Sequence, residues 1–339
     1  MAGLYNLNLH TLLITDGCMA VYTEVSFDEA KSFLARLQLG TLQSMEGCAG
    51  GIENTNYFVT TDQAAYVLTL FERLTATQLP FYLRLMKHLA GRGIPVPDPA
   101  ANEQGEVLHA LNGKPAAVVN RLRGKSELTP TAAHCRLVGG MLAQMHLAGR
   151  DFALHQDKLR GLPWWNSTAE QVLPHLTLAQ AELLQAELDF QNHIAAQPEY
   201  AALPRGPIHA DLFRDNVMFE QHGNVPSLSG FFDFYFAGVD TWLFDIAVCL
   251  NDWCINQQDC SANPERTAAF MQAYSDLRPL QAEEQAMLPA LARAGALRFW
   301  ISRLWDWHLP REASMLKPHD PAHFERVLKH RIHLHKPSI

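Results

Sequence analysis

Near Gly124 the sequence changes texture, and that change limits the fold more than any other feature. Before it, from Met45 onward, turn residues alternate with short apolar runs. Gly47-Cys48-Ala49-Gly50-Gly51 separates two extended segments, the second being Asn56-Tyr57-Phe58-Val59. A strand follows at Ala65–Phe71, marked by its β-branched and aromatic content. Val107–Leu111 and Ala116–Arg121 read as two more. Beyond Gly124, apolar residues recur at helical spacing, as at Leu137, Met141, Leu142 and Met145. The expected class is α+β: a small β-rich lobe, a hinge and a larger, mainly helical lobe, with the ligand between them. The expected division is an extension over 1–18, a small lobe over 19–120 and a large lobe over 121–339. Met19 offers a second possible translation start.

Punctuation along the chain sharpens this outline. Ser26-Phe27-Asp28-Glu29 is a capping box, and Phe27, Ala30, Phe33, Leu34 and Leu37 form the apolar face of a helix stopped by Gly40. A second helix spans about Leu79 to Ala90, and Ile94-Pro95-Val96-Pro97 excludes its continuation. Thr129-Pro130 reads as a cap followed by the first helical residue, and Gly139-Gly140 permits close backbone packing. Further helices are expected over 168–196, in the 240s–250s and in the 280s–330s, interrupted by a non-helical stretch from Pro207 to Gly238.

Composition narrows the function classes. Of 339 residues, 48% are apolar and 18% charged, a globular balance. A formal net charge of −8 argues against general affinity for nucleic acid or an anionic membrane, while leaving room for a local basic site. No apolar run is long enough to span a bilayer, and the N-terminus has no secretory pattern. The six cysteines are scattered without a C-x-x-C pair, so reduced thiols and a cytoplasmic location are expected. Oligomeric state is not specified by the sequence.

The densest chemistry lies in Ile208-His209-Ala210-Asp211-Leu212-Phe213-Arg214-Asp215-Asn216-Val217, an H-x-D-x-x-x-x-N string. Phosphoryl transfer needs a fixed carboxylate to align a hydroxyl and accept its proton, which suits Asp211, with His209 of the same string as the second catalytic candidate. It also needs a hard oxygen ligand for Mg²⁺, which suits Asn216. Asp233 follows Asn216 by 17 residues, at the end of the apolar Phe231-Phe232 pair. A hairpin between them would bring both to one metal. The bland alternative is a His209–Asp211 hydrogen bond and an Asp233 turn cap. Both motifs together, downstream of a β-rich lobe, favour the chemical reading.

These strings resemble the aminoglycoside phosphotransferase and choline kinase superfamily, including its D-L/I-A helix start, here Asp245-Ile246-Ala247. The resemblance implies a protein-kinase-like two-lobed fold, with nucleotide bound by 19–120 and catalysis and acceptor binding in 121–339. It implies ATP and Mg²⁺ as cofactors, a supporting role for Asp245 and a packing role for His146. Gly51-Ile52-Glu53-Asn54-Thr55-Asn56, Gly161-Leu162-Pro163-Trp164-Trp165 and Leu297-Arg298-Phe299-Trp300-Ile301-Ser302-Arg303-Leu304 resemble its homoserine kinase branch, so L-homoserine is the implied acceptor. On this likeness Gly50, Gly51, Asn54 and Asn56 would approach phosphates, while the hinge at Val119 and Arg121 would face adenine.

One position departs from the usual kinase pattern. The strand lysine is replaced by Thr69, and Leu79–Leu89 contains no acidic partner for such a lysine. Arg73, Arg84 or Lys87 would then take over phosphate contact. For the acceptor, Arg298 and Arg303 are candidates for a carboxylate, Asp306 for an ammonium and Trp165 for a pocket wall. Arg303 and Asp306 also read as a surface i, i+3 pair. Trp300, Trp305 and Trp307 suggest either core or an aromatic box for a quaternary ammonium, so a choline- or ethanolamine-type kinase stays open. A non-catalytic nucleotide-binding protein is the alternative from another class. The histidines at 323, 330, 333 and 335 read as a solvated face rather than a zinc site.

Overall fold

Ser26 and Glu29 open the first helix as the capping box predicts. The Glu29 amide donates to Ser26 Oγ at 3.3 Å and the Ser26 amide to Glu29 Oε2 at 2.7 Å. The computed structural model describes residues 23–48, 54–223, 225–309 and 318–335. The extension over 1–18 and the glycines Gly50 and Gly51 lie outside the described residues. Helix α1 (Phe27–Arg36) ends before Gly40, because Gln38 itself adopts a left-handed φ of 57°. Ala30, Phe33, Leu34 and Leu37 are buried, whereas Phe27 is 43% exposed and drops off the apolar face.

The small lobe is a five-stranded antiparallel sheet in the order β1-β2-β3-β5-β4. Its strands are β1 (Leu42–Gly47), β2 (Asn54–Thr61), β3 (Ala65–Phe71), β4 (His109–Leu111) and β5 (Lys114–Asn120). Helix α2 (Leu79–Ala90) lies between β3 and β4 in the chain. Side chains alternate across the sheet. Tyr57, Val59, Leu68, Leu70, Ala116 and Val118 pack with α1 in a core of their own. Asn54, Asn56 and Phe58 stand opposite Phe71, Thr69 and Val67 in register, so these residues share the other face. That face looks toward the large lobe, since Phe71 belongs to the large lobe's core.

The linker is held firmly. Gly124 has φ +89°, and an added Cβ would lie 2.1 Å from Phe219 O, so no other residue fits. Lys125 and Phe219 then exchange backbone hydrogen bonds, each at 2.9 Å.

Helix α3 (Ala132–Ala148) begins two residues later than Thr129-Pro130 suggests. Thr131 is the cap, with its amide and hydroxyl against His134 Nδ1, while Thr129 Oγ1 is spent on Glu127 at 2.7 Å. Helices α4 (Leu162–Val172), α5 (Leu178–Ala195) and the short α6 (Pro198–Ala201) follow. Strands β6 (Arg205–Ile208), β7 (Val217–His222), β8 (Val225–Phe231) and β9 (Gly238–Thr241) occupy the expected non-helical stretch, β7 and β8 forming a hairpin. The chain continues as α7 (Trp242–Asp252), α8 (Pro264–Leu277), α9 (Ala282–His308) and α10 (Ala322–His335). Helix α8 was not expected from the sequence. It packs so closely on α3 that a Cβ at Gly139 would lie 2.3 Å from Phe270 O. Gly140 has no such crowding. Among the described residues, no helix is long and apolar enough to cross a membrane.

Candidate active site

The site is built on one buried carboxylate. Asp245, in the first turn of α7, has no exposed surface. It accepts the His209 amide at 2.7 Å and the Ala210 amide at 2.6 Å. Two amides donating to one carboxylate curl the chain sharply, and Ala210 sits at φ +65°, a strained conformation for a residue with a Cβ. His146 of α3 completes the junction, with Nε2 3.1 Å from Asp245 and Nδ1 2.8 Å from the Tyr274 hydroxyl. Burial holds its pKa below the ordinary imidazole value.

His209 locks the next residue. Its Nδ1 accepts the Asp211 amide at 3.3 Å, which leaves Nε2 to donate to Phe232 O at 2.9 Å. Burial lowers the His209 pKa as well, so the ring is a neutral strut rather than a charge. The His209–Asp211 hydrogen bond of the bland alternative is present, as a side-chain-to-backbone bond. It ties Asp211 to the segment that carries Asp233.

Asp211 keeps 15% of its side-chain surface open. Burial pushes its pKa up to about 8 against the pull of the Arg298 guanidinium, and the nearby carboxylates of Asp233 and Asp215 push the same way. Asn216 donates its side-chain Nδ2 to Asp211 O at 2.9 Å, while its backbone carbonyl accepts the Phe232 amide at 3.0 Å. Asn216 and Asp233 thus stand at the two ends of the β7–β8 hairpin, joined at its base. Asp233 adopts φ 67°, ψ 61°, a left-handed turn that lifts it off the strand. Asp211, Asn216 and Asp233 converge.

Opposite them lies Arg298 of α9, 3% exposed, with Nη2 3.9 Å from Asp211 Oδ1. That separation is too long for a hydrogen bond, and Nη2 is buried with no hydrogen-bond partner. Burial pulls the Arg298 pKa down to about 10. Arg303 turns elsewhere, its guanidinium 4.4 Å from the Phe324 ring on α10. Trp165 is buried against Phe244, and its indole N–H is committed to Arg160 O at 2.7 Å. Asp306, half-buried, acts electrostatically on Arg298.

On the small-lobe side, Thr69 is buried and donates to Asn56 Oδ1 at 2.7 Å. Val119 faces Val67 in register. Arg121 lays its guanidinium 4.0 Å from the Phe58 ring, and its amide is already given to Ala65 O at 3.0 Å, so that amide is not available to a base. Lys87 is paired with Asp98 at 2.9 Å, whereas Arg73 and Arg84 are exposed. Two residues beyond Thr69, aromatic rings join the lobes. Tyr235, two residues after Asp233, is edge-on to Phe71 of β3 at 5.3 Å and to Tyr82 of α2 at 5.9 Å.

The three tryptophans do not form a common box. Trp300 is fully buried in the core, Trp307 is 43% exposed, and Trp305 lies edge-on to Trp164 at 6.0 Å with the Arg160 guanidinium 5.1 Å away. The cation near Trp305 is thus the protein's own. Of the histidines, His330 accepts the Ala262 amide at 3.2 Å and His323 touches Cys260.

Sequence reasoning missed three features. Arg214, inside the loop, is buried and clamps Asp252 through its guanidinium and its amide, pinning the loop to α7. Lys158 and Asp240 form a buried pair at 2.8 Å. Arg160 lies beside the recognised Gly161–Trp165 string. A basic residue inside the loop motif and an acid at the end of the next helix are visible in the sequence, but only the fold pairs them.

The model of the phosphotransferase enzyme family matches residues 44–288, which include Asp211, Asn216, Asp233 and Asp245. The chain belongs to that family. This phosphotransferase is 66% identical over 314 residues to the homoserine kinase of Polaromonas naphthalenivorans (strain CJ2), covering 93% of this chain and 98% of that protein. It is 55% identical to the homoserine kinase of Cupriavidus pinatubonensis, covering 93% and 96%. Among solved structures, amicoumacin kinase superposes with a TM-score of 0.66 at 15% identity, over 91% of this chain and 93% of that one. Choline kinase from Cryptosporidium parvum gives 0.57 at 13% identity, over 86% and 88%. At such identities these two show the fold, the two-lobed kinase-like one. The phosphotransferase acts on an alcohol acceptor.

Proposed function

We propose that this phosphotransferase transfers the γ-phosphoryl group of ATP to the side-chain hydroxyl of L-homoserine. The observation that carries the reading is Arg298, a buried guanidinium with an unpartnered nitrogen 3.9 Å from Asp211. A fixed cation beside a base suits an acceptor with a carboxylate at one end and a hydroxyl at the other. High identity to proteins named homoserine kinase supports it. Arg298 also lies outside the residues matched by the broad family model, in a part of the chain where acceptor choice can differ.

Asp211 orients the hydroxyl and accepts its proton as the oxygen attacks phosphorus. Burial raises its proton affinity, as this task requires. Arg298 takes the acceptor carboxylate, Asp306 its ammonium, and Arg303 secures α10. The shared sheet face of Asn54, Asn56 and Val119 lies against the nucleotide, with the linker after Arg121 along the base.

Asn216 and Asp233 are the residues that would hold Mg²⁺, and the donors fit it. Asn216 spends its side-chain nitrogen on Asp211 O, which leaves its side-chain Oδ1 as a hard ligand, and two crowded carboxylates favour a cation. Among the described residues no three His, Cys, Asp or Glu side chains make a complete metal cage, so phosphate oxygens and water would finish the shell. Bound Mg²⁺ offsets phosphate charge. Against an aromatic box for a choline-type acceptor, Trp305 already has the Arg160 guanidinium 5.1 Å from its ring.

The test is a coupled ADP-release screen over homoserine, choline, ethanolamine, methylthioribose and aminoglycosides. Homoserine should give the highest kcat/KM. Equal or better turnover of choline would refute the assignment.

A further inference from the structure

Phe213 follows Asp211 by two residues and lies between two backbone anchors at the end of α7. The Trp253 indole donates to Leu212 O at 2.9 Å, and the Arg214 amide donates to Asp252 Oδ2 at 2.9 Å. The Phe213 ring meets other helices, 4.4 Å from the Phe299 ring of α9 and 5.9 Å from the Phe324 ring of α10. Phe299 and Phe324 are buried and stack on each other at 5.2 Å, so the half-buried Phe213 rests on a firm floor. The Arg298 guanidinium lies 3.8 Å from that same Phe299 ring. A run of contacts therefore joins the loop that carries Asp211 to the cation opposite it. Packed rings resist compression, so the 3.9 Å between Asp211 Oδ1 and Arg298 Nη2 depends on what separates the loop from α9.

We propose that Phe213 is a specificity-determining spacer: its ring, wedged between the catalytic loop and α9, sets the gap between Asp211 and Arg298 and thereby the length of acceptor that bridges them. This rests on the reading of Arg298 as the residue that takes the acceptor's carboxylate. The anchors on α7 hold the back of the loop, and the ring fixes its distance from α9. An acceptor with one end on Arg298 brings its hydroxyl to Asp211 only if its chain has the matching number of carbons. A misplacement of about 1 Å is enough to cost about 10²-fold in rate. The ring thus acts on the reaction through Asp211 and Arg298.

The experiment is steady-state kinetics with ATP and Mg²⁺ on the full chain. The acceptors are L-serine, L-homoserine and L-5-hydroxynorvaline, which share both charged ends and differ by one methylene at each step. The wild type should favour homoserine over either homologue by at least about 10-fold, the least that one methylene is worth. Phe213→Leu lets the loop settle toward α9, and should raise the serine-to-homoserine ratio of kcat/KM at least about 10-fold without raising the ratio for hydroxynorvaline. Phe213→Trp pushes the two apart and should do the reverse. Phe299→Leu removes the other half of the contact and should repeat the shift toward serine; it decides the matter if the Phe213 variants do not fold. An equal loss for all three acceptors overturns the spacer, because a merely structural ring would lower every turnover alike. Shifts in the same direction for Leu and Trp overturn it too. A fourth acceptor, 3-aminopropan-1-ol, is homoserine without its carboxylate. If the wild type favours homoserine over it while the ratios stay fixed in the variants, only the spacer falls. If the wild type favours aminopropanol, the spacer and the acceptor reading fall together.

Discussion

Asp245→Ala is the most severe single change the structure offers away from the reacting atoms. The carboxylate receives the His209 amide at 2.7 Å, the Ala210 amide at 2.6 Å and His146 at 3.1 Å, and none of it is exposed. Removing it orphans three buried donors at about 1–3 kcal/mol each, or about 3–9 kcal/mol in all. The left-handed Ala210, held there by those bonds, loses its restraint at the same time. Against a typical total of about 5–15 kcal/mol, such a loss leaves the chain marginal or unfolded. Asp245→Asn retains one acceptor oxygen and should lose roughly half as much, because its amide nitrogen faces a donor. Urea unfolding followed by circular dichroism measures both, with the midpoint shift read at constant slope. The kcat should fall in parallel, since Asp211 follows directly from the pinned turn. If Asp245→Ala lost less than about 1 kcal/mol, the junction would not be what shapes the loop, and the argument from orphaned donors would be wrong.

Three further outcomes are expected. Asp211→Asn should cut kcat by about 10²- to 10⁴-fold with little change in ATP affinity; activity within a few-fold of wild type would remove Asp211 from proton transfer. Thr69→Lys should lower the melting temperature without raising kcat/KM, because it buries an ammonium beside Asn56 with no acid on α2 to receive it; a gain in turnover at unchanged stability would refute this. His323 has its pKa pulled from 6.5 to about 4, chiefly by burial and then by Arg303. A folded value below the unfolded one means that its contribution is complete above about pH 6.5 and is lost as pH falls toward 4. His323→Gln should therefore flatten the acid limb of the stability–pH curve, and an unchanged limb would contradict the assignment.

What the sequence revealed depended on whether the signal was local. The capping box at Ser26, the limits of β3 and α2, and the hairpin between Asn216 and Asp233 are all written within a few residues, and the chain follows them. The start of α3 was misjudged because Thr129-Pro130-Thr131 offers two caps, and only His134 decides between them. Helix α8 escaped because it buries only Ala269, Phe270 and Tyr274, too few to show a period, although Asn263-Pro264 is a cap followed by proline. In the site, Asp211, Asn216 and Asp233 were legible because their spacing is a motif. Arg160, Lys158 and the Arg214–Asp252 clamp were not, since each depends on which side chain meets which across long sequence separations. Arg298 and Arg303 were indistinguishable as candidates until the facing of α9 separated them.

The two hydrophobic cores do not divide where the lobes do. Helix α2 and Phe71 of β3 pack into the same core as the wall that carries Asp211, whereas α1 and the outer face of the sheet form a separate one. The outer core can therefore loosen on its own, as an independent cooperative unit, while the catalytic wall and α2 stay together. Mechanically, α1 with the outer face of the sheet is a flap mounted on a fixed frame, and the seam between the two runs through the thickness of the sheet rather than between the lobes.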